Sequence, residues 1–236
     1  MVNVSENITR VLERIAAAAR RSGRRPEDIT LVAVTKTVPV ERIREAVACG
    51  LKDLGENRVQ ELLSKQPYVE GVNWHLIGHL QRNKVRQVWD RVCLIHSVDS
   101  LELAREINKR ATAAGRRVDI LLEVNIAGEE SKFGLVPDAV IPLVREIAGW
   151  PGLHICGLMT VAPLVADPEE VRPVFLRLAA LRREVEALRL PGVDMAYLSM
   201  GMTNDFEVAI EAGANMVRIG SAIFGSRDYQ TKVEVH

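Results

Sequence analysis

Apolar residues along the chain follow two rhythms. An opening stretch places Ile8, Val11, Leu12, Ile15, Ala18 and Ala19 at helical spacing, and Gly23 follows where such a helix would stop. Beyond it, short β-rich apolar runs alternate with amphipathic stretches. The predicted strands are Ile29–Thr35, Lys52–Leu54, Trp74–Ile77, Val92–Val98, Val118–Asn125, His154–Met159, Met195–Leu198 and Met216–Ile219. The clearest helical pattern between them carries Val171, Val174, Phe175, Leu178, Leu181, Val185 and Leu188. Another carries Leu101, Ala104, Ile107 and Ala111, with Asp99 or Ser100 as its cap.

Eight strands separated by helices imply parallel pairing through right-handed crossovers. Leu31-Val32-Ala33-Val34 is apolar on both faces, as a strand covered by helices must be. The eightfold count, in a chain of 236 residues, favours a single (β/α)8 TIM barrel with an extra N-terminal helix over an open doubly wound sheet. No linker or low-complexity segment divides it. The expected organisation is one domain over 1–236, with 1–25 as a leader helix packed on the barrel.

Lys and Arg number 31, as do Asp and Glu, so the formal net charge is zero. Broad electrostatic binding to nucleic acid or an anionic membrane needs clustered positive charge, and neither is an expected partner. No apolar run approaches the ~20 residues that span a bilayer, and Met1–Glu6 lacks the basic-then-apolar order of a secretory signal. Cys49, Cys93 and Cys156 are far apart, odd in number and set among apolar residues. They read as buried, inert thiols in a reducing compartment, and the expected location is the cytoplasm.

Barrels carry chemistry at the C-terminal ends of their strands, with phosphate commonly held after the seventh and eighth. Lys36 ends the first predicted strand, where a partly desolvated side chain can supply the neutral amine of Schiff-base chemistry; a lysine reaching plain solvent is the bland alternative. Leu198–Thr203 and Arg218–Gly225 close the last two strands with glycines and small hydroxyls suited to an anion. Either segment alone is ordinary loop punctuation. With a lysine after the neighbouring first strand, they point to a phosphorylated carbonyl compound held as an imine, of which pyridoxal 5′-phosphate (PLP) is the common cofactor. His75 and His79 flank Gly78 on a strand-to-turn run without a nearby acid or thiol in sequence, so no metal site is expected there. Motifs of serine hydrolases, P-loop NTPases and dinucleotide binders are missing from the sequence.

At these positions the chain resembles the YggS/PROSC family of PLP homeostasis proteins. The resemblance rests on Leu31–Lys36, Gly55–Glu61, Trp74–Lys84, Lys132-Phe133-Gly134, Gly157-Leu158-Met159, Leu198–Met202, Asp205-Phe206-Glu207 and Val217–Gly225. It runs collinearly over essentially the whole chain and implies a barrel like the N-terminal domain of alanine racemase. It further implies that Lys36 carries PLP as an aldimine, and that Ser199, Gly220 and Ser221 hold the phosphate. Asn57 and His79 would line the pocket, Met159 would lie near the ring, and Arg218 would face the pyridine nitrogen. The chain has Thr35, Thr203 and Ser221 where the family often has another hydroxyl residue, and Arg58 where tyrosine is frequent. The hydroxyl exchanges keep the donor; Arg58 changes the pocket rim.

A guanidinium beside the pyridine nitrogen opposes its protonation, and an unprotonated ring is a weaker electron sink. Racemases of this fold work with such a ring but take a second base, a tyrosine, from an additional β-domain. None of Tyr68, Tyr197 and Tyr229 matches that base, and the sequence is expected to lack the domain. The implied function is therefore intracellular PLP homeostasis, buffering or delivering the cofactor without a dedicated reaction, by a monomer. Apo PLP-dependent enzymes are the partners that delivery would call on. The competing readings are a weak PLP-dependent amino-acid racemase and a cofactor-free Schiff-base aldolase.

Overall fold

The structure is a computed structural model that describes residues 3–225. Eight strands form its centre: β1 (Thr30–Val34), β2 (Asp53–Glu56), β3 (Asn73–Leu76), β4 (Leu94–Val98), β5 (Val118–Glu123), β6 (Leu153–Met159), β7 (Val193–Ser199) and β8 (Met216–Ile219). They pair in parallel in chain order, and β8 closes on β1, so the molecule is a (β/α)8 barrel. Every predicted strand is present. The largest differences in extent are at β2, which runs from Asp53 to Glu56, and β7, which runs from Val193 to Ser199.

The helices are α1 (Val4–Arg21), α2 (Val40–Ala48), α3 (Val59–Lys65), α4 (Val85–Val88), α5 (Leu101–Ala113), α6 (Pro137–Ile147), α7 (Arg172–Glu186), α8 (Phe206–Glu211) and α9 (Ser221–Phe224). Of the two candidate caps for α5, Ser100 is the one used: its Oγ accepts from the Leu103 amide at 3.4 Å. Asp99 instead faces His79, with Oδ2 and Nδ1 3.2 Å apart. Gly23 follows α1 at φ 71°, a left-handed conformation that glycine adopts without steric penalty.

The core has two shells. Helix stripes such as Phe175, Leu178, Leu181 and Val185 of α7 seal against the outer face of the strands. Each large side chain removed from water there contributes roughly 2 kcal/mol before ordering entropy is counted. Inside the barrel, Val32, Ile77, Leu94, Leu121, Cys156, Met159 and Met216 form a separate apolar cluster. Residues of the same strands that share this inward parity include His75, His96, Glu123, Ser199 and Arg218, all buried.

α1 lies on α8 and α9. Val4, Ile8, Val11 and Ile15 are buried on its inner side, and Asn7 Nδ2 donates to the Ile223 carbonyl at 2.9 Å. Arg14 pairs with Glu207, and Arg21 with Glu211, both at 2.7 Å. The leader helix thus fixes α9, whose first turn reaches the functional end of the barrel. Among the described residues no helix is long and apolar enough to cross a membrane.

The cysteine expectation is corrected. Only Cys156 is buried; Cys49 and Cys93 are exposed. Cys49 caps the C-terminus of α2 at the surface. Cys93 precedes β4, with its Sγ donating to the Trp74 carbonyl at 3.3 Å. Apolar neighbours in sequence do not bury a residue that falls at an element end.

Candidate functional site

A cavity of about 700 Å³ opens at the C-terminal mouth of the barrel. Its walls come from the segments after β1, β6, β7 and β8, and include Lys36, Thr203, Asp205, Arg218, Gly220 and Ser221. Parallel strands deliver these residues to one end because each strand points the same way. Of the eight residues expected from sequence, Lys36, Arg218, Gly220 and Ser221 line this cavity.

Lys36 is held between two fixed neighbours. Thr35 is fully buried, and its Oγ1 donates to Glu56 Oε1 at 2.7 Å. Lys65 Nζ donates to the Thr35 carbonyl at 2.8 Å and to Glu56 Oε1 at 2.7 Å. On the other side, the Thr37 amide donates to Glu61 Oε2 at 2.8 Å. Thr37 has φ 63°, a costly conformation for a β-branched residue. The Glu56–Lys65–Glu61 group compensates that strain and fixes the backbone from which Lys36 projects.

The anion-compatible part of the cavity is the turn into α9. Gly220 packs against β1: a Cβ there would meet Val34 Cβ and the Val34 carbonyl oxygen, each at 3.2 Å. Ser221 Oγ and Thr203 Oγ1 lie 3.1 Å apart, bringing hydroxyls from the β7 and β8 ends together. The Ile223 and Phe224 amides both donate to the Gly220 carbonyl at 2.9 Å, which closes the turn of α9 on that glycine.

Arg218 comes from inside the barrel. Its Nη1 donates to Ser199 Oγ at 2.6 Å and its Nη2 to the Thr160 carbonyl at 2.8 Å. Burial lowers its pKa to about 10, against the pull of Glu123 and Asp205. Glu123 is driven the other way, up to about 7, by burial and by Asp99. His96, wholly enclosed, is held well below the ordinary histidine range by burial, with His75 and Arg218 adding to it.

The other four expected residues lie outside this cavity's walls. Ser199 is fully buried at the end of β7, and its hydroxyl is taken by Arg218 and by His96 Nδ1 at 3.1 Å. Met159 is fully buried in the barrel's inner cluster. Asn57 follows β2 with its Oδ1 enclosed and without a hydrogen-bond partner; its backbone lies so close to Gly78 that a Cβ there would sit 2.4 Å from the Asn57 oxygen. His79 stands at the rim, stacked on Phe133 at 3.7 Å between ring centroids. His75 has separated from it and sits inside the barrel, with its Nε2 3.1 Å from Asp53 Oδ1.

Sequence reading missed His96 and Glu123; it placed Glu56 at the end of the second strand but missed its link to Lys65 and Glu61. Two of these carried a signal: His96 alternates with Leu94, and Glu123 with Leu121, so both fall on the inward face of strands whose apolar members fill the barrel. A second unforeseen group lies lower on β5 and β6, where ligand-type atoms of Asp119, His154 and Cys156 fall within 4.8 Å of one another. His154 Nδ1 lies 2.9 Å from Asp119 Oδ1 there.

Residues 7–228 match the family model described as the alanine racemase N-terminal domain. A pyridoxal phosphate homeostasis protein of Aquifex aeolicus is 47% identical over 230 residues, covering 97% of this chain and 100% of the relative. One of Escherichia coli K12 is 40% identical over 241 residues, covering 98% of this chain and 100% of the relative. Among solved structures, PipY of Synechococcus elongatus PCC7942 with PLP bound matches at a TM-score of 0.82 and 31% identity, over 94% of this chain and 100% of PipY. Alanine racemase of Corynebacterium glutamicum shares the fold, at a TM-score of 0.71 and 14% identity; the match covers 92% of this chain and 61% of the racemase. With the closed barrel, the lysine at the end of β1 and the hydroxyl-lined turn after β8 all in place, the chain belongs to the pyridoxal phosphate homeostasis protein family.

Proposed function

We propose that the mouth cavity binds PLP, with Lys36 supplying the amine for its aldehyde, and that the protein serves PLP homeostasis by holding and delivering the cofactor. The observation that carries this reading is the convergence on one cavity of a lysine, a paired hydroxyl turn and a buried arginine. The cofactor presents an aldehyde, a phosphate dianion and a ring nitrogen. Lys36 suits the first, the turn at Gly220 and Ser221 with Thr203 suits the second, and Arg218 suits the third. Bound there, the cofactor would supply a reactive carbonyl and an electron-accepting ring. Asn57, His79, Met159 and Ser199 act around this group rather than in its wall, and Ser199 does so through Arg218.

The reading of a carrier without a dedicated reaction draws support from the relatives' names and from the cavity's composition. Among its described wall residues the amine of Lys36 stands without a tyrosine or histidine base. Of the described tyrosines, Tyr68 is exposed and Tyr197 packs with the inner barrel cluster; Tyr229 lies outside the described residues. The proposed carrier works in the cytoplasm as a monomer, handing PLP to apo-enzymes that need it.

The first test is the visible absorption spectrum of the protein and of Lys36→Ala after incubation with PLP and gel filtration. A band retained by the wild type and lost or displaced in the variant is expected; no retained band in either overturns the reading. Loss of the α-deuterium of labelled alanine, dependent on Lys36, would instead favour a PLP-dependent enzyme such as a weak amino-acid racemase.

A further inference from the structure

Five side chains form one hydrogen-bonded line through the barrel interior. Arg218 Nη1 meets Ser199 Oγ at 2.6 Å, and Ser199 Oγ meets His96 Nδ1 at 3.1 Å. His96 Nε2 meets His75 Nδ1 at 3.0 Å, and His75 Nε2 meets Asp53 Oδ1 at 3.1 Å. The residues belong to β8, β7, β4, β3 and β2. Four of them are buried, and the side chain of Asp53, 26% exposed, is the end that reaches water.

With both rings neutral, the chemistry of the two ends fixes every proton between them. A guanidinium has only donors, so Ser199 must accept from Arg218, and its single proton then goes to His96. That makes His96 Nδ1 an acceptor, so the neutral ring carries its proton on Nε2 and donates it to His75 Nδ1. His75 is placed in the same tautomer, and its Nε2–H is left for the Asp53 carboxylate. One extra proton would reverse the order, with His75 Nδ1 donating to His96 and His96 Nδ1 to Ser199, and would put a second cation into the interior that holds Arg218. In this order two imidazoles and a hydroxyl are all polarised in one direction between a buried cation and an anion. The other charged groups facing Arg218, Glu123 and Asp205, pull on it without joining the line.

We propose that Ser199, His96, His75 and Asp53 are positioning residues for Arg218. The line holds the guanidinium in one rotamer and in its charged form, so that the ring nitrogen of a cofactor in the mouth cavity meets a fixed cation. This assignment rests on the PLP reading above. It also gives Ser199 its role: the hydroxyl that completes the arginine's geometry, rather than a phosphate ligand. Without Ser199, Nη1 of Arg218 would lose its acceptor in a dry interior, and the side chain would turn toward Glu123 or Asp205.

Two measurements test this. Imidazole 15N NMR of the cofactor-free protein is expected to show His75 and His96 both neutral and both protonated on Nε2. A proton on Nδ1 of either ring overturns this proton order, and this readout needs neither a variant nor the cofactor. In the second, Ser199→Ala and Ser199→Thr are loaded with PLP and gel-filtered beside the wild type. The alanine variant is expected to shift the bound chromophore's absorption maximum and to bind PLP about tenfold more weakly, and threonine is expected to restore both. An unshifted maximum with unchanged affinity in Ser199→Ala overturns the positioning role. A wild type that retains no cofactor overturns the PLP reading instead, and the NMR result still decides the proton order.

Discussion

Lys65 Nζ lies 2.7 Å from Glu56 Oε1, and the same ammonium also holds the Thr35 carbonyl, one residue before Lys36. Glu56 is fully buried and the Lys65 side chain is 10% exposed, so this is an interior ion pair rather than a surface one. Its place beside a strained Thr37 explains why an expensive arrangement is kept: it fixes the backbone on both sides of the candidate cofactor lysine.

Lys65→Met removes the cation and leaves the carboxyl enclosed. Breaking a buried pair in this way costs about 3–5 kcal/mol. Burial already pushes the Glu56 carboxyl up, against the counteracting pull of Lys65. Without Lys65 it would take a proton more readily, so the loss in urea-unfolding free energy should be larger at pH 8 than at pH 5. An equal loss at both would show that the charge does not matter.

Glu123 makes stability depend on pH in a defined direction. Its carboxyl stands at about 7 in the folded protein against an ordinary value of 4.5. The native state therefore keeps a proton that the unfolded chain has already released. The associated stability is complete below pH ~4.5 and is lost as pH rises through about 7, a total on the order of 3 kcal/mol. Glu123→Gln should flatten the unfolding free energy across that window and leave the variant more stable than wild type at pH 8.

Gly157 faces β7 so closely that a Cβ would lie 1.9 Å from the Tyr197 carbonyl oxygen. Gly157→Ala must push the two strands apart at the irregular register between β6 and β7. A loss of several kcal/mol is expected, beyond the ordinary range for a single substitution, and it should appear as a large drop in the thermal midpoint. A small change would mean that the strand pair yields easily.

Asn7 tests the leader helix. Its amide reaches the Ile223 carbonyl in α9 at 2.9 Å and its Oδ1 accepts from Arg10. Asn7→Ala should cost about 1–2 kcal/mol of stability, because a buried carbonyl loses its donor. It should also weaken PLP retention, since α9 forms one wall of the cavity. Retention equal to wild type would separate the leader helix from the site.

Much of this protein was legible before any coordinate. Inward- and outward-facing apolar runs disclosed eight strands, because a strand covered on both sides must be apolar on both. The strand-end rule then singled out Lys36, Gly220 and Ser221, since direction along a parallel strand is already present in sequence order, and the family resemblance added Arg218. Less was legible for Ser199 and His79. Each stands at a strand's C-terminal side, but only packing decides whether a side chain turns inward beneath the mouth or outward to the rim.

The sequence by itself determined the strand count, the parallel order and the end of the barrel at which lysine and hydroxyls gather, because these follow from short-range periodicity and chain direction. Tertiary structure alone decided which groups touch. Glu56 meets Lys65 across α3, and Arg218 connects to Asp53 through three side chains from three other strands. Such contacts depend on barrel closure and on the parity of each strand against its neighbours. Closure brings residues 53, 75, 96, 199 and 218 into one line, although no local pattern links them.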